Sequence, residues 1–308
     1  MSTHKTTADQ SLILSFLKDN FFKEVSNLEV ITGGEGSQAY SFDVHDKGYI
    51  IRVNKHHTLG FRKDEYVFNH YASPSIPIPK ILKIGKINSD LRFCISQRVK
   101  GKVLLSFTRE ELEILKDVIL EVLDAIHATD ISETKGYGKW DAEGKGEAES
   151  WKEYLLTVDK YAKGEAGAPS LFETTFLEKD FWDSAYARLT ELTAFCPEKR
   201  FLVHSDYGSN NVLSDGKKIT GVIDWESSRY GDFIYDVAWL SFWSRTLDFQ
   251  NIYSEHLEKK KIKIENYNER MLCYKLYIGL SGMSFFAYSG QKEKYDKIKE
   301  TLSNLLKV

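Results

Sequence analysis

Cysteine is scarce in this chain: its 308 residues include three, Cys94, Cys196 and Cys273, and none of them forms a CxxC pair. An odd number without that spacing argues against a disulfide framework and against a structural zinc site. Long hydrophobic runs are also missing, since no stretch approaches the roughly 18 apolar residues of a membrane span. The first residues, MSTHKTTADQ, lack the basic-then-apolar pattern of a signal peptide. We therefore expect a cytoplasmic protein with reduced thiols and no membrane partner.

Neither sign of charge is in large excess. The formal net charge of -3 and the pI near 6.3 argue against a nucleic-acid partner, because binding to the phosphate backbone needs concentrated positive charge. The first hundred residues carry 14 Lys and Arg against 10 Asp and Glu, whereas the remainder carries 28 against 35. This asymmetry would suit an anionic ligand on the first part and a cationic ligand on the second. Two ordinary solvated surfaces account for the counts equally well.

Glycine-punctuated β patterns fill the first hundred residues. A helical pattern over Ser11–Phe22 precedes strand-like runs that are separated by glycines, which supply the turn conformations between antiparallel strands. A helix is predicted over Arg62–Tyr71, and the segment SPSIPIPK ends it because proline cannot continue a helix. The predicted strands are Leu28–Thr32, Ala39–Val44, Tyr49–Val53, Lys80–Gly85 and Leu91–Val99. We therefore predict a domain over 1–100 with a five-stranded antiparallel sheet.

Helical patterns dominate after Lys100-Gly101, so a second domain is predicted over 101–308. The stretch 136–149 is rich in glycine and charge and predicts a mobile loop before a helix that begins near Trp151. The further helices are predicted at 177–194, 233–246, 266–286 and 291–306. This half of the chain is therefore expected to be mainly helical.

The clearest chemical pattern follows an apolar run that ends at Val203. The polar loop after it contains His204, Asp206 and Asn211, and the next strand-like run delivers Asp224. Carboxylate and carboxamide oxygens are the hard ligands that Mg²⁺ prefers. Phosphoryl transfer asks little more of a protein than metal-held phosphates and an acceptor hydroxyl oriented by a carboxylate. The pattern therefore indicates magnesium-dependent transfer of a phosphate to an alcohol.

The motif HSDYGSNN followed by IDWE resembles the catalytic loop and the metal-binding aspartate of the aminoglycoside phosphotransferases. That resemblance implies a bilobal, protein-kinase-like α+β fold, in which the small lobe holds the five-stranded sheet and the large lobe is mainly helical. It also implies that Asp206 is the catalytic base and that His204 braces the loop. Asn211 and Asp224 would hold Mg²⁺. Asp236, in YDVAW, falls where the family has a structural aspartate that buttresses the site.

The same resemblance implies a nucleotide site in the first domain. The hairpin GGEGSQAYSF, with Gly34, Gly36 and Ser37, would cover the phosphates of ATP with backbone amides. Gln97 and Val99, in the connection between the lobes at Ser96 to Val99, would contact the base. The sequence does not distinguish ATP from GTP.

Arg52, in YIIRVN, stands where most kinases have the strand lysine that binds the α- and β-phosphates. Asp64, rather than a glutamate, is the best match for the acidic helix partner of that lysine. A longer base and a shorter acid preserve the span between strand and helix, and a guanidinium still binds phosphate in a bidentate manner. We therefore predict that Arg52 and Asp64 are a functional pair in catalysis and nucleotide binding, with Glu65 as the competing partner.

Several segments between about Leu28 and Trp243 resemble the branch of this family that phosphorylates hygromycin B. This implies an antibiotic-resistance kinase that uses ATP to phosphorylate a hydroxyl of hygromycin B or a related aminoglycoside or aminocyclitol, and we expect a monomer. Such substrates are polycations covered in hydroxyls, so an acidic pocket with aromatic edges is expected. The candidate substrate contacts are Asp206, Asn210, Trp225, Glu226, Trp239 and Trp243. The three tryptophans are also typical of a protein core.

Two other functions fit the same catalytic residues. A metabolic kinase for choline, homoserine, a sugar or a macrolide would differ only in the acceptor pocket. A catalytically inactive nucleotide-binding protein is suggested by the missing strand lysine, although the intact Asp206, Asn211 and Asp224 argue against it.

Overall fold

The structure is a computed structural model that describes residues 6–32, 36–55, 58–164 and 168–307. The chain forms two compact units, here called unit 1 and unit 2. Unit 1 comprises Met1–Ala125, Asp141–Glu143 and Ser209–Ser227, and unit 2 comprises Ile126–Trp140, Gly144–Gly208 and Ser228–Val308. The chain thus passes between the units several times. The domain division at Lys100-Gly101 stays a prediction.

The described residues form twelve strands and eleven α-helices, numbered in chain order. The strands are β1 Ser26–Ile31, β2 Gln38–Val44, β3 Lys47–Asn54, β4 Ile81–Lys86, β5 Arg92–Gln97, β6 Lys102–Val103, β7 Tyr137–Trp140, β8 Gly146–Ala148, β9 Phe201–Val203, β10 Val212–Ser214, β11 Ile219–Val222 and β12 Arg229–Gly231. The helices are α1 Gln10–Asn20, α2 Leu59–Tyr71, α3 Arg109–His127, α4 Trp151–Leu156, α5 Val158–Lys163, α6 Leu171–Thr174, α7 Lys179–Leu192, α8 Ile234–Trp243, α9 Phe249–Lys259, α10 Tyr267–Tyr288 and α11 Lys292–Leu305.

Unit 1 is built on an antiparallel sheet with the strand order β1-β2-β3-β5-β4. Alternate residues of a strand point to opposite faces, and this places Phe42, Ile51 and Val53 in one buried cluster with Ile13 and Leu17 of α1. The antiparallel sheet of five strands that the sequence predicts is therefore confirmed within the described residues.

A second sheet of unit 1, in the order β11-β10-β6, carries two of the candidate site residues at one end. β10 and β11 form an antiparallel hairpin in which Val212 lies opposite Val222. Asn211 precedes β10 and Asp224 follows β11, so the hairpin brings these two residues to the same end.

Unit 2 is mainly helical, and α10 packs against α7, α8 and α11. Large aromatic side chains fill its interior, where Trp151, Trp182 and Tyr235 are almost completely buried. The helical C-terminal region expected from the sequence is confirmed. No helix in the described part of the chain has the length and apolar character needed to cross a membrane.

The stretch 136–149 is a correction to the sequence prediction, because β7 and β8 pair there instead of forming a mobile loop. Its glycines have conformational and packing roles. Gly138 has a φ of +77°, and a Cβ atom there would lie 2.1 Å from Cδ2 of Tyr154. Glycine in this stretch therefore permits close packing of an ordered hairpin, which composition alone cannot separate from a flexible loop.

Candidate active site

Arg52 and Asp64 form an ion pair within unit 1. β3 places Arg52 opposite Cys94 of β5, and a guanidinium nitrogen of Arg52 donates to Oδ2 of Asp64. Asp64 is 4% exposed, whereas Glu65 is exposed. The structure thus pairs Arg52 with Asp64 rather than with the competing Glu65. The role of the pair in nucleotide binding stays a prediction.

The electrostatic surroundings keep the Arg52 guanidinium charged. Burial alone lowers the pKa of Arg52, but the neighbouring acidic groups, led by Asp64, outweigh burial and raise that pKa above its ordinary value. Burial also raises the pKa of the Cys94 thiol to about 11, so this thiol is neutral beside the cation. Unit 1 therefore presents a fixed positive charge of the kind that binds phosphate oxygens.

Asn211 and Asp224 are the residues that would hold Mg²⁺. The carbonyl oxygen of Asn211 accepts a hydrogen bond from the backbone N–H of Ile223 at 2.9 Å, which fixes the ends of the hairpin against each other. Asp224 has a φ of +64°, a conformation that is uncommon for a residue with a side chain. Burial raises the pKa of Asp224 to about 6, against the opposing effect of Arg52.

The donor set fits Mg²⁺. A carboxamide and a carboxylate are hard oxygen ligands, and Mg²⁺ commonly takes one or two carboxylates while keeping waters and substrate phosphates in its shell. The raised pKa of Asp224 reflects the loss of hydration of its carboxylate on burial. A bound cation would offset that loss. Within the described residues, no group of three or more His, Cys, Asp or Glu side chains is arranged to hold a metal ion.

The loop that carries Asp206 lies in unit 2 and is held by Asp236. Both side-chain oxygens of Asp236 accept backbone N–H groups: Oδ2 from His204 at 2.9 Å and Oδ1 from Ser205 at 2.7 Å. Ser205 has a φ of +66°, so these hydrogen bonds stabilise a turn that the backbone disfavours. The N–H of Asp206 donates to Nδ1 of His204 at 3.3 Å. His204 is thus in contact with the turn that it was predicted to brace.

A further member of this cluster, His127, was not found from the sequence. Its Nε2 lies 3.0 Å from Oδ2 of Asp236, and both side chains are buried. The two residues are 109 positions apart, and no local pattern marks the C-terminal histidine of α3 as a partner of α8. The contact becomes visible only in the folded structure, where both buried side chains meet.

Removing the Asp236 carboxylate is expected to destabilise the protein strongly. Asp236→Ala would leave the buried N–H groups of His204 and Ser205 and the ring of His127 without their acceptor. We expect the free energy of unfolding to fall by about 3–5 kcal/mol, measured by urea denaturation. The matched control, Asp117→Ala at an exposed position of α3, should change it by less than about 0.5 kcal/mol. A loss below about 1 kcal/mol for Asp236→Ala would contradict this role for the aspartate.

The other predicted nucleotide contacts belong to the first hairpin and to the end of β5. Gly34 lies outside the described residues. Gly36 and Ser37 directly precede β2, and Gln97 is exposed at the end of β5, where its N–H donates to the carbonyl of Lys80 at 2.9 Å. Val99 packs on the second sheet of unit 1, since a Cβ atom at Gly221 would lie 2.7 Å from Cγ2 of Val99.

The predicted substrate contacts lie in different surroundings. Asn210 is exposed, and the rings of Trp239 and Trp243 are 5.8 Å apart, with Trp243 37% exposed. The side chain of Trp225 is fully buried, and its indole N–H donates to the carbonyl of Val222 at 3.2 Å. This burial favours the core alternative for Trp225, and its role as a substrate contact stays a prediction.

Glu226, the remaining predicted substrate contact, lies against α2 in unit 1. A Cβ atom at Gly60 would be 2.7 Å from Oε2 of Glu226. The carboxylate is therefore placed beside the first turn of that helix.

Comparisons with known proteins identify the family. The phosphotransferase enzyme family matches residues 27–259. Hygromycin-B 4-O-kinase of Escherichia coli is 36% identical over 263 residues, which are 84% of this chain and 74% of that kinase. Among solved structures, aminoglycoside phosphotransferase APH(4)-Ia has a TM-score of 0.84 at 31% identity and covers 97% of this chain and 99% of its own.

A thermostable mutant of APH(4)-Ia, solved as a ternary complex with AMP-PNP and hygromycin B, also has a TM-score of 0.84 at 31% identity. That match covers 95% of this chain and 97% of the mutant. The family that the catalytic motifs resemble is thereby confirmed, and this chain belongs to the phosphotransferase enzyme family.

Proposed function

We propose that this chain transfers the γ-phosphate of ATP to a hydroxyl of hygromycin B or a related aminoglycoside or aminocyclitol antibiotic, and that it thereby confers resistance. The observation that carries the proposal is the 36% identity to Hygromycin-B 4-O-kinase over 84% of this chain. Since that relative is named for the 4-oxygen of hygromycin B, we propose the same hydroxyl here.

The nucleotide side of the reaction is assigned to unit 1. Arg52 would bind phosphate oxygens of ATP, and its ion pair with Asp64 supports this proposal. Gly34, Gly36 and Ser37 would contribute backbone N–H groups to the phosphates. Mg²⁺, held by Asn211 and Asp224, would neutralise charge on the phosphates when bound. ATP is the proposed donor because the solved relative binds AMP-PNP and ADP.

The acceptor side depends on Asp206. Its carboxylate would orient the acceptor hydroxyl and take its proton as the oxygen bonds to the γ-phosphorus and the bond to the ADP oxygen breaks. Asp236 and His204 contribute by fixing the turn that presents Asp206. Asn210, Trp239 and Trp243 remain the proposed contacts of the polycationic substrate.

We also propose the finer fold class, a bilobal protein-kinase-like fold with its boundary at Lys100-Gly101, and a cytoplasmic monomer. The antiparallel sheet of unit 1 and the helices of unit 2 support this class.

The experiment that tests the proposal is magnesium-dependent ADP release with hygromycin B, kanamycin, spectinomycin, a macrolide, choline and homoserine as acceptors. Turnover of hygromycin B well above that of the others is expected. Preferred turnover of another acceptor would assign the protein to a metabolic or different antibiotic kinase. Binding of ATP without turnover of any acceptor would favour an inactive nucleotide-binding protein.

The Arg52–Asp64 pair gives a sharper test of the nucleotide assignment. Asp64→Asn removes the charge that pairs with Arg52, so we expect the Kd for ATP to rise about tenfold, the size of one charge-assisted hydrogen bond. Glu65→Gln removes the neighbouring, exposed carboxylate and is expected to leave the Kd unchanged. Equal effects of the two substitutions, measured by calorimetry, would contradict a specific role for Asp64.

A further inference from the structure

Lys63, which precedes Asp64 on α2, is an unusual buried residue. It is 1% exposed, although lysine is almost never fully buried unless it is paired. Its ammonium nitrogen donates to the backbone carbonyl of Glu226 at 2.8 Å. Lys63 therefore binds the main chain two residues after Asp224.

Asp64 makes a second contact with the same segment. Its Oδ2 accepts from Arg52, and its Oδ1 accepts the backbone N–H of Trp225 at 2.9 Å. Two adjacent side chains of α2 thus hold one amide and one carbonyl of the residues that follow Asp224. A charged partner strengthens each of these hydrogen bonds.

The third contact runs in the opposite direction, from the segment to the helix. The Glu226 carboxylate lies beside Gly60 in the first turn of α2, where the helix dipole favours a negative charge. The side chain of Thr58, the N-cap residue of α2, makes no capping hydrogen bond. The Glu226 carboxylate therefore lies beside a helix start that the N-cap side chain does not cap. Gly60 leaves room for that carboxylate, since a Cβ atom would lie within 2.7 Å of Oε2.

We infer that Lys63 is a positioning residue for magnesium-dependent nucleotide binding, acting through the clamp that α2 forms on Trp225 and Glu226. Asp224 has a φ of +64°, and a residue in that conformation persists only when its surroundings hold it. The clamp fixes the two residues directly after Asp224. It therefore sets the direction of the Asp224 carboxylate relative to Arg52. The inference rests on the proposed role of Asp224 as a magnesium ligand.

The clamp also gives Glu226 a role other than the predicted substrate contact. Its main-chain carbonyl is bound by Lys63 and its carboxylate lies at the start of α2. Both groups act within unit 1, on the nucleotide side of the proposed reaction.

Lys63→Met tests the inference. Methionine has about the length of the lysine side chain and matches its apolar stem, but it cannot donate a hydrogen bond to the Glu226 carbonyl. The affinity of intact protein for AMP-PNP is measured by calorimetry with and without Mg²⁺. We expect the gain in affinity that Mg²⁺ provides to fall about tenfold, as for other residues that orient metal ligands. The affinity without Mg²⁺ should stay within about twofold, which a general loss of structure would not permit. The control is Arg62→Met, the exposed neighbour on the same helix.

Gly60→Ala keeps the inference testable if Lys63→Met does not fold. Alanine is favoured in a helix, but its methyl group would displace the Glu226 carboxylate. We therefore expect the gain in affinity from Mg²⁺ to fall, by less than in Lys63→Met. Parental gains in the folded variants would overturn the inference, as would a parent protein whose affinity for AMP-PNP is the same with and without Mg²⁺. A parent that gains affinity with Mg²⁺ but does not phosphorylate hygromycin B would refute the proposed substrate alone.

Discussion

Asp206→Asn is expected to reduce the turnover of hygromycin B by about two to four orders of magnitude. Asparagine has nearly the same shape as aspartate but cannot accept the proton of the acceptor hydroxyl. The turn that presents this residue is held by backbone hydrogen bonds to Asp236 and His204, which the substitution leaves intact. Affinities for ATP and hygromycin B should therefore stay close to those of the parent, while the rate of the chemical step falls.

The control for this variant is Asp130→Asn, an exposed carboxylate in the same unit, which should keep parental turnover. Steady-state kinetics separate the effects, since loss of a group that acts only in the transition state lowers kcat and kcat/KM together. Parental kcat in Asp206→Asn would remove this residue from the role of base.

Asp224→Ala is expected to abolish the dependence of nucleotide binding on magnesium. The substitution removes the carboxylate of a two-residue oxygen ligand set and leaves the Asn211 carboxamide, a neutral and weaker ligand for Mg²⁺. Calorimetric titration with AMP-PNP should give the same affinity in the presence and absence of Mg²⁺. Removing Mg²⁺ from the parent with a chelator should reproduce the affinity of this variant.

Asp215→Ala is the matched control for Asp224→Ala, because Asp215 lies in the exposed turn at the other end of the β10–β11 hairpin. It should preserve the gain in affinity from Mg²⁺. A parental gain in Asp224→Ala would count against the metal assignment.

Much of the fold could be predicted from local sequence patterns. The strands of unit 1 alternate apolar residues with a period of two, as at Ile51 and Val53, and glycines mark the turns between them. The ion pair of Arg52 with Asp64 could also be anticipated, because a strand base and a helix acid of complementary length replace the lysine and glutamate of most kinases. The strands follow from spacing within short segments, which the sequence shows directly, whereas the ion pair follows from the resemblance to the kinase family.

Contacts between distant segments could not be predicted in the same way. His127 meets Asp236 across 109 positions, and Lys63 meets the carbonyl of Glu226 across 163 positions. Neither lysine nor histidine carries a local signal that separates a buried hydrogen bond from an exposed side chain. Trp225 shows the converse problem, because an aromatic residue beside a catalytic motif suits a ligand pocket and a core equally well. The burial of Trp225 in the folded protein favours the core.

The measurement that tests the central claim most directly is the identity of the reaction product. Hygromycin B is incubated with the protein, ATP and Mg²⁺, and the product is examined by mass spectrometry and by phosphorus and proton NMR. We expect one phosphate monoester per molecule, on the 4-oxygen, and no such product with Asp206→Asn. Release of ADP with unmodified hygromycin B, or a phosphate transferred to a different class of acceptor in preference, would contradict the assignment of this chain as a hygromycin B kinase.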